Sequence, residues 1–400
     1  MNIRISHQLR ALCAALLAIA TFAVPSNCFA QGGGGTPDPR PFALFRDMFD
    51  TFGEWHGPIV NMAYQPQVQY TYSDTPGNKN NFNGSIAWGS YIWVTPEINV
   101  NINLSLEQID APKKEDQWFF NGEGINAGDI WVQWSDQRTG ILAGRFTAPF
   151  GIAPLLLPGL FDLNSVGAYN FGGLMGTMGT LSTGDEGGGI HSFSVAGFGI
   201  DTTFMSQSYI VSTPSPTGPG TGGGVDSFCL AYDGINIPLL FPTLQVAVSY
   251  IDFGTGIGAD ANQKGLAAGF NWQYIINGDV RETLDAGYIS VGPLFEYVKF
   301  WNVDGVQDAS SDFYTLGIIG NAGNWQSDVA LTWNNTSATS GTPSYDNFLA
   351  SASLGYNFFG PQSLVEFGYA YQVQDGKIDN QVGVQVSFPI NALEYFPLWN

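Results

Sequence analysis

Residues 98–106, INVNINLSL, alternate with period two. Ile98, Val100, Ile102, Leu104 and Leu106 share one parity; Asn99, Asn101, Asn103 and Ser105 share the other. Successive side chains of a strand point to opposite faces, so the stretch predicts a β-strand with one apolar and one polar face. The same period governs the chain from about Ala63 onward. It predicts strands at 67–72, 84–94, 98–106, 128–135, 140–146, 191–199, 226–234, 244–253 and 265–275. The last third adds 283–292, 294–303, 313–322, 325–334, 348–359, 364–374 and 381–388. That is about sixteen strands, with roughly 14 to 18 as the range, each long enough to cross a bilayer at a tilt.

What the two faces touch decides the class. In the last strand Val382, Val384, Val386 and Phe388 oppose Gln381, Gly383, Gln385 and Ser387; in 265–276, Leu266, Ala268, Phe270, Trp272, Tyr274 and Ile276 share a face. A soluble sandwich of this size would carry many charges on its wet face. Here only 12% of residues are charged, beside 51 Gly, 29 Phe, 17 Tyr and 11 Trp, whereas soluble domains carry about 25%. The composition suits an all-β, transmembrane antiparallel β-barrel with the apolar parity toward lipid and the polar parity toward the lumen. Asn99, Asn101, Asn103, Gln381 and Gln385 are then the lumen-facing candidates.

The chain divides accordingly. Arg4 and Arg10, the apolar run 11–25 and a small residue at Ala30 read as a secretory signal over 1–30. Residues 31–62 read as a Gly-rich tether followed by a short amphipathic helix, with Phe42, Phe45, Met48, Phe49 and Phe52 at helical spacing. The barrel occupies 63–389, and 390–400 is a C-terminal tail. Beyond the signal one cysteine, Cys229, remains, so no internal disulfide is expected. The signal contains two Arg and no acid, so its removal takes the net charge from −21 to −23. That balance disfavours nucleic acid and phosphate as partners and favours cations in a water-filled interior.

Connections alternate between short turns and longer polar loops, as in outer-membrane barrels. Residues 147–189 stand apart, being long, Gly-rich and apolar, with PLLLPGLF inside. Such a segment is costly in water and is expected to fold inward against the wall.

The segment follows LAGRFTAPFG (142–151). Gly144, Arg145, Phe146, Pro149, Phe150 and Gly151 resemble a strand-ending motif of bacterial outer-membrane porins, in the superfamily of the phosphate-selective porins and their sixteen-stranded relatives. The resemblance implies passive diffusion of small hydrophilic solutes and ions, a constriction made by 147–189, an outer-membrane location in a diderm bacterium with outer-membrane lipid around the barrel, and a homotrimer. Phosphate selectivity would need ladders of Arg and Lys. This chain scatters eleven cationic residues after the signal among 34 acids, which favours cations or neutral solutes instead.

Candidate chemistry is sparse. His191 beside Ser192 would point to opposite faces of a strand, and no Cys/His spacing suggests a metal, so neither an enzyme, a metal site nor a cofactor is expected. The pore and constriction candidates are Arg145 against Asp162, Asp185 or Glu186, with Phe161 and Tyr169 on the loop. Arg145 could instead pair with a wall carboxylate, and the loop aromatics could form an apolar slide or dock the loop on the wall. The alternative functions are a channel for hydrophobic substrates and a plugged structural or adhesive barrel.

Overall fold

The computed structural model describes residues 59–74, 79–109, 122–136, 138–185, 188–210, 213, 215–238, 243–277, 289–337, 344–358, 363–388 and 390–395. The signal segment, the tether and amphipathic helix up to residue 58, His56, Glu186 and residues 396–400 lie outside them.

The strands are β1 (Ile59–Ser73), β2 (Lys79–Trp93), β3 (Ile98–Gln108), β4 (Glu123–Ser135), β5 (Thr139–Phe146), β6 (Leu174–Asp185), β7 (Gly189–Ile200), β8 (Ser227–Ile237) and β9 (Leu244–Phe253). They continue as β10 (Gln263–Trp272), β11 (Tyr274–Asn277), β12 (Ile289–Trp301), β13 (Ser310–Ala322), β14 (Trp325–Ser337), β15 (Tyr345–Asn357), β16 (Leu364–Gln374), β17 (Lys377–Ser387) and β18 (Ile390–Tyr395). Two one-turn helices, α1 (Ala153–Leu156) and α2 (Leu163–Val166), lie between β5 and β6. Pairing is antiparallel throughout, and β1 pairs with β2 on one side and with both β17 and β18 on the other. β10 and β11 likewise share β12 as partner. The result is a closed barrel of 16 staves, which satisfies the backbone without an open edge.

The expected count of about sixteen holds, but two errors cancel within it. Gly292–Pro293 was expected to be a turn; instead β12 runs straight through it. Pro293 faces the break between β10 and β11, where Asn271 pairs with Leu294 and Tyr274 with Val291. A proline without an N–H is tolerated in a strand at such an irregularity. Conversely, 174–185 is the strand β6, inside the segment expected to be loop. Its inward residues, Leu174 and Met178, are as apolar as its outward ones, so the alternation is faint. The expected tail also needs correction, because Ile390–Tyr395 forms β18 and pairs with Ile59–Tyr64.

The outer face matches the lipid-facing expectation. Ile141, Val195, Leu230, Val248, Leu316, Ile318 and Val382 are exposed on it. Aromatic side chains flank this belt. Trp325 and Tyr356 meet at 4.8 Å near the short-turn end, while Tyr297 and Tyr314 meet at 5.0 Å near the long-loop end. His191 belongs to the first rim: it stacks on Tyr232, whose hydroxyl is 2.8 Å from its Nδ1.

Candidate functional site: the loop in the lumen and the opening beside it

The wall launches the loop with the GRFTAPFG stretch. Gly144 has a φ of +138° and crosses so close to Ile130 and Trp131 that a Cβ there would collide with their backbone. Phe146, wholly buried, meets Phe198 edge-on at 6.4 Å. Phe150 packs on Phe171 and Phe300 at 5.6 and 5.7 Å, and Phe171 on Phe253 at 4.8 Å. Gly151, at φ +75°, turns the chain and donates its N–H to Ser249 Oγ at 3.0 Å. Residues 147–173 thus enter the barrel and fill the space against β6–β14 with a continuous apolar core.

Glu296, on the inner face of β12, anchors the base of the loop. Its carboxylate accepts the Ile152 N–H, the Ala153 N–H at 3.1 Å and the Tyr169 hydroxyl at 2.9 Å. Three donors around one carboxylate make a strong charge-assisted site. The tip of the loop lies against β14–β17. Leu160 and Phe161 press on Gly368 and Gly383; a Cβ would crowd them at Gly368 and collide with them at Gly383. Leu160 donates its N–H to Ser353 Oγ at 3.0 Å, Ser351 donates to Asp162, and Asn164 donates to Gln381 at 3.2 Å.

The barrel wall the loop does not cover retains an opening. This cavity, of about 290 Å³, is lined by Gln67, Gln69, Asn83, Ser85, Glu107, Gln108 and Gln385 from the wall, with Glu366 at its edge, and by Pro158, Gly159, Leu160 and Leu163 from the loop. The wall side is carboxamide, hydroxyl and carboxylate; the loop side is aliphatic. None of these lining residues is cationic.

Several sequence candidates fall elsewhere. Arg145 does not face the opening. It shares the parity of exposed Ile141, and its guanidinium donates to Asp201 at 3.1 Å and to the Ala127 and Gly128 carbonyls. It therefore ties β5 to the segment after β7. Asp185 pairs with Gly189 at the short turn, ten residues along β6 from Met175, the partner of Arg145. At strand rise that is roughly 33 Å away. The loop ends at Gly173, so the expected constriction over 147–189 shrinks to 147–173. Asp162, Phe161 and Tyr169 are loop residues as expected, but all three are buried against the wall rather than exposed to a path.

Gln385 lines the opening, and Gln381 holds the loop beside it. Asn99, Asn101 and Asn103 do point inward, yet Asn101 is wholly buried, with its amide donating to the Asp129 carbonyl at 3.2 Å. Glu296, Asp328 and Glu366 escaped the sequence reading. Each is the one acid on the inward parity of its strand, and that isolation was the available signal.

Solved barrels resemble this one. The high-pH structure of Pseudomonas putida OprB aligns with a TM-score of 0.55 at 11% identity, covering 92% of this chain and 100% of that one. Salmonella typhi OmpF in complex with daunomycin gives 0.51 at 13% identity over 83% and 97%. The loop-L8 deletion mutant of OmpT from Vibrio cholerae gives 0.50 at 10% identity over 84% and 100%. No protein-family model and no curated protein matches the chain. The likeness is one of fold: a porin-like, sixteen-stranded barrel of the outer-membrane type.

Proposed function

We propose that this chain is a passive channel of the outer membrane of a diderm bacterium, admitting small hydrophilic solutes with a preference for cations over anions. The observation that carries the reading is the opening beside the loop tip, whose wall is carboxamide and carboxylate and whose lining includes no Lys or Arg. Carboxamides replace the hydration of a passing solute, and Glu107 favours positive charge. The same lining argues against phosphate as the preferred solute. The apolar loop docks the constriction rather than forming a slide, because Phe161 and Tyr169 are turned into the wall. Assembly as a homotrimer belongs to this proposal through the GRFTAPFG resemblance, and sizing in detergent would check it.

The direct test is the purified protein in a planar bilayer under a salt gradient. Steady conductance with a reversal potential of the cation-preferring sign is expected. Anion preference would overturn the selectivity, and zero conductance from correctly folded barrels would overturn the channel itself. The second outcome would leave a plugged structural barrel, a reading favoured by the packing of 147–173 across one side of the lumen.

A further inference from the structure

The loop is held at two places by carboxyl groups, and the two are built differently. At the base, Glu296 stands among three donors. At the tip, Asp162 meets another acid. A Cβ placed on Gly159 would lie 2.6 Å from Asp162 Oδ2 and 2.5 and 2.6 Å from the two Asp328 oxygens. The two carboxyl groups therefore converge on one point, within about 5 Å of each other.

Each element packed around Asp162 contributes an identified group. β14 supplies Asp328, whose Oδ2 is buried with no partner. β15 supplies the Ser351 hydroxyl, which donates to Asp162, and the Ser353 hydroxyl, which accepts from Leu160. β16 supplies Glu366, a third acid that interacts with both aspartates. β17 reaches the tip through Gln381, and the loop itself supplies the Gly159 N–H, donated to Asp162 Oδ2 at 3.0 Å. Among the described residues no Lys, Arg or His pairs with this group. Two ionised carboxylates so close and so buried repel without compensation, whereas one shared proton turns the contact into a hydrogen bond.

We propose that the loop tip is a proton-operated latch: a proton shared by Asp162 and Asp328 holds residues 158–163 against β14–β16, and its loss at higher pH frees the tip while Glu296 keeps the base in place. The proton leaves to water through the cavity that Gly159 and Glu366 border. Burial pushes the Asp162 carboxyl above its ordinary value, against the opposing bonds from Asp328, Ser351 and the Gly159 amide. A carboxyl raised in the folded arrangement favours that arrangement while protonated, and this advantage is lost as pH rises through the raised value. With one proton released per opening, the open-to-latched ratio grows about tenfold per pH unit in that range. The latch rests on loop geometry alone; its effect on flow rests on the channel reading.

The test is hydrogen exchange of the 159–163 amides in the folded full-length barrel, corrected for the intrinsic rate at each pH, at about pH 5 and about pH 9. The wild type is expected to lose at least about tenfold protection at the higher pH. Asp328→Asn, whose amide donates to Asp162 without titrating, is expected to keep its protection at both. Equal wild-type protection at the two pH values overturns the latch, and so does an Asp328→Asn barrel that loses protection as the wild type does. Should Asp328→Asn fail to fold, Asp162→Asn makes the same comparison from the other side of the pair. Conductance separates the two proposals. Current that rises with pH in the wild type and stays level in the variant supports both, whereas pH-dependent exchange with no current at any pH retains the latch and removes the channel.

Discussion

The interior of this barrel has two unlike sides. Against β6–β14 the inner face is largely apolar: Phe198, Ile251, Leu294, Val298, Phe300 and Phe313 pack against loop residues Phe150, Ala153 and Val166. Against β1–β3 and β17 it is wet and polar: Gln67, Gln69, Asn83, Ser85, Glu107 and Gln385 face open space. The strands are built alike on the outside, with aliphatic residues between aromatic rims. The difference is therefore made by the loop, which converts one part of the inner face into a core and leaves the rest open.

The comparison breaks most severely if the loop loses its base. Glu296→Ala leaves two buried N–H groups without an acceptor and the Tyr169 hydroxyl with only Thr315, a loss of roughly 3 kcal/mol. A lowered denaturant midpoint is expected, together with larger and noisier conductance as the loop lifts. An unchanged midpoint would show that Glu296 is not the anchor. Phe150→Ala, in the middle of the aromatic cluster, is expected to cost about 3 kcal/mol and should also raise conductance. The same truncation among the carboxamides of the open side should do neither.

Arg145→Ala is expected to destabilise by about 1.5–3 kcal/mol, because it strands the wholly buried Asp201 carboxylate, while leaving ion selectivity unchanged. A shifted reversal potential would return Arg145 to the pore. Glu107→Gln should do the reverse: stability within about 0.5 kcal/mol of wild type, with the reversal potential moved toward that of a non-selective pore.

The smallest effect belongs to the rim. Asp74 is held below its ordinary value by the Asn380 backbone and side-chain N–H groups. A carboxyl lowered in this way adds stability above its unfolded value and loses it as pH falls through the lowered one. Asp74→Asn should therefore differ from wild type in thermal midpoint at neutral pH and converge with it in acid.

Much of this was legible in the strands that face lipid on one side and a polar interior on the other. INVNINLSL and QVGVQVSF have full contrast between parities, because one face meets lipid and the other meets polar groups of the interior. β12 and β13 have little: Leu294, Val298 and Phe300, or Phe313 and Ile319, point inward and are as apolar as their outward neighbours. The same cause hid β6 inside a segment that reads as loop. The break after Gln374 was expected, but β17 begins at Lys377 rather than 381, since two residues at positive φ, Asp375 and Gly376, are enough to close the hairpin.

The sequence by itself determined the barrel, its lipid-facing parity, the place where the long loop begins and the acidic balance of the whole, because these follow from local alternation and composition. Only the tertiary structure decided which inward residues line the opening. Arg145 and Asp201 are 56 residues apart, and Ser351 and Asp162 are 189 apart. No local pattern encodes a pairing made by folding a loop across a closed sheet. For the same reason the acids at 296, 328 and 366 could be read as isolated from their strands, but their different partners, three donors for one and another carboxyl group for the next, exist only once the loop is inside.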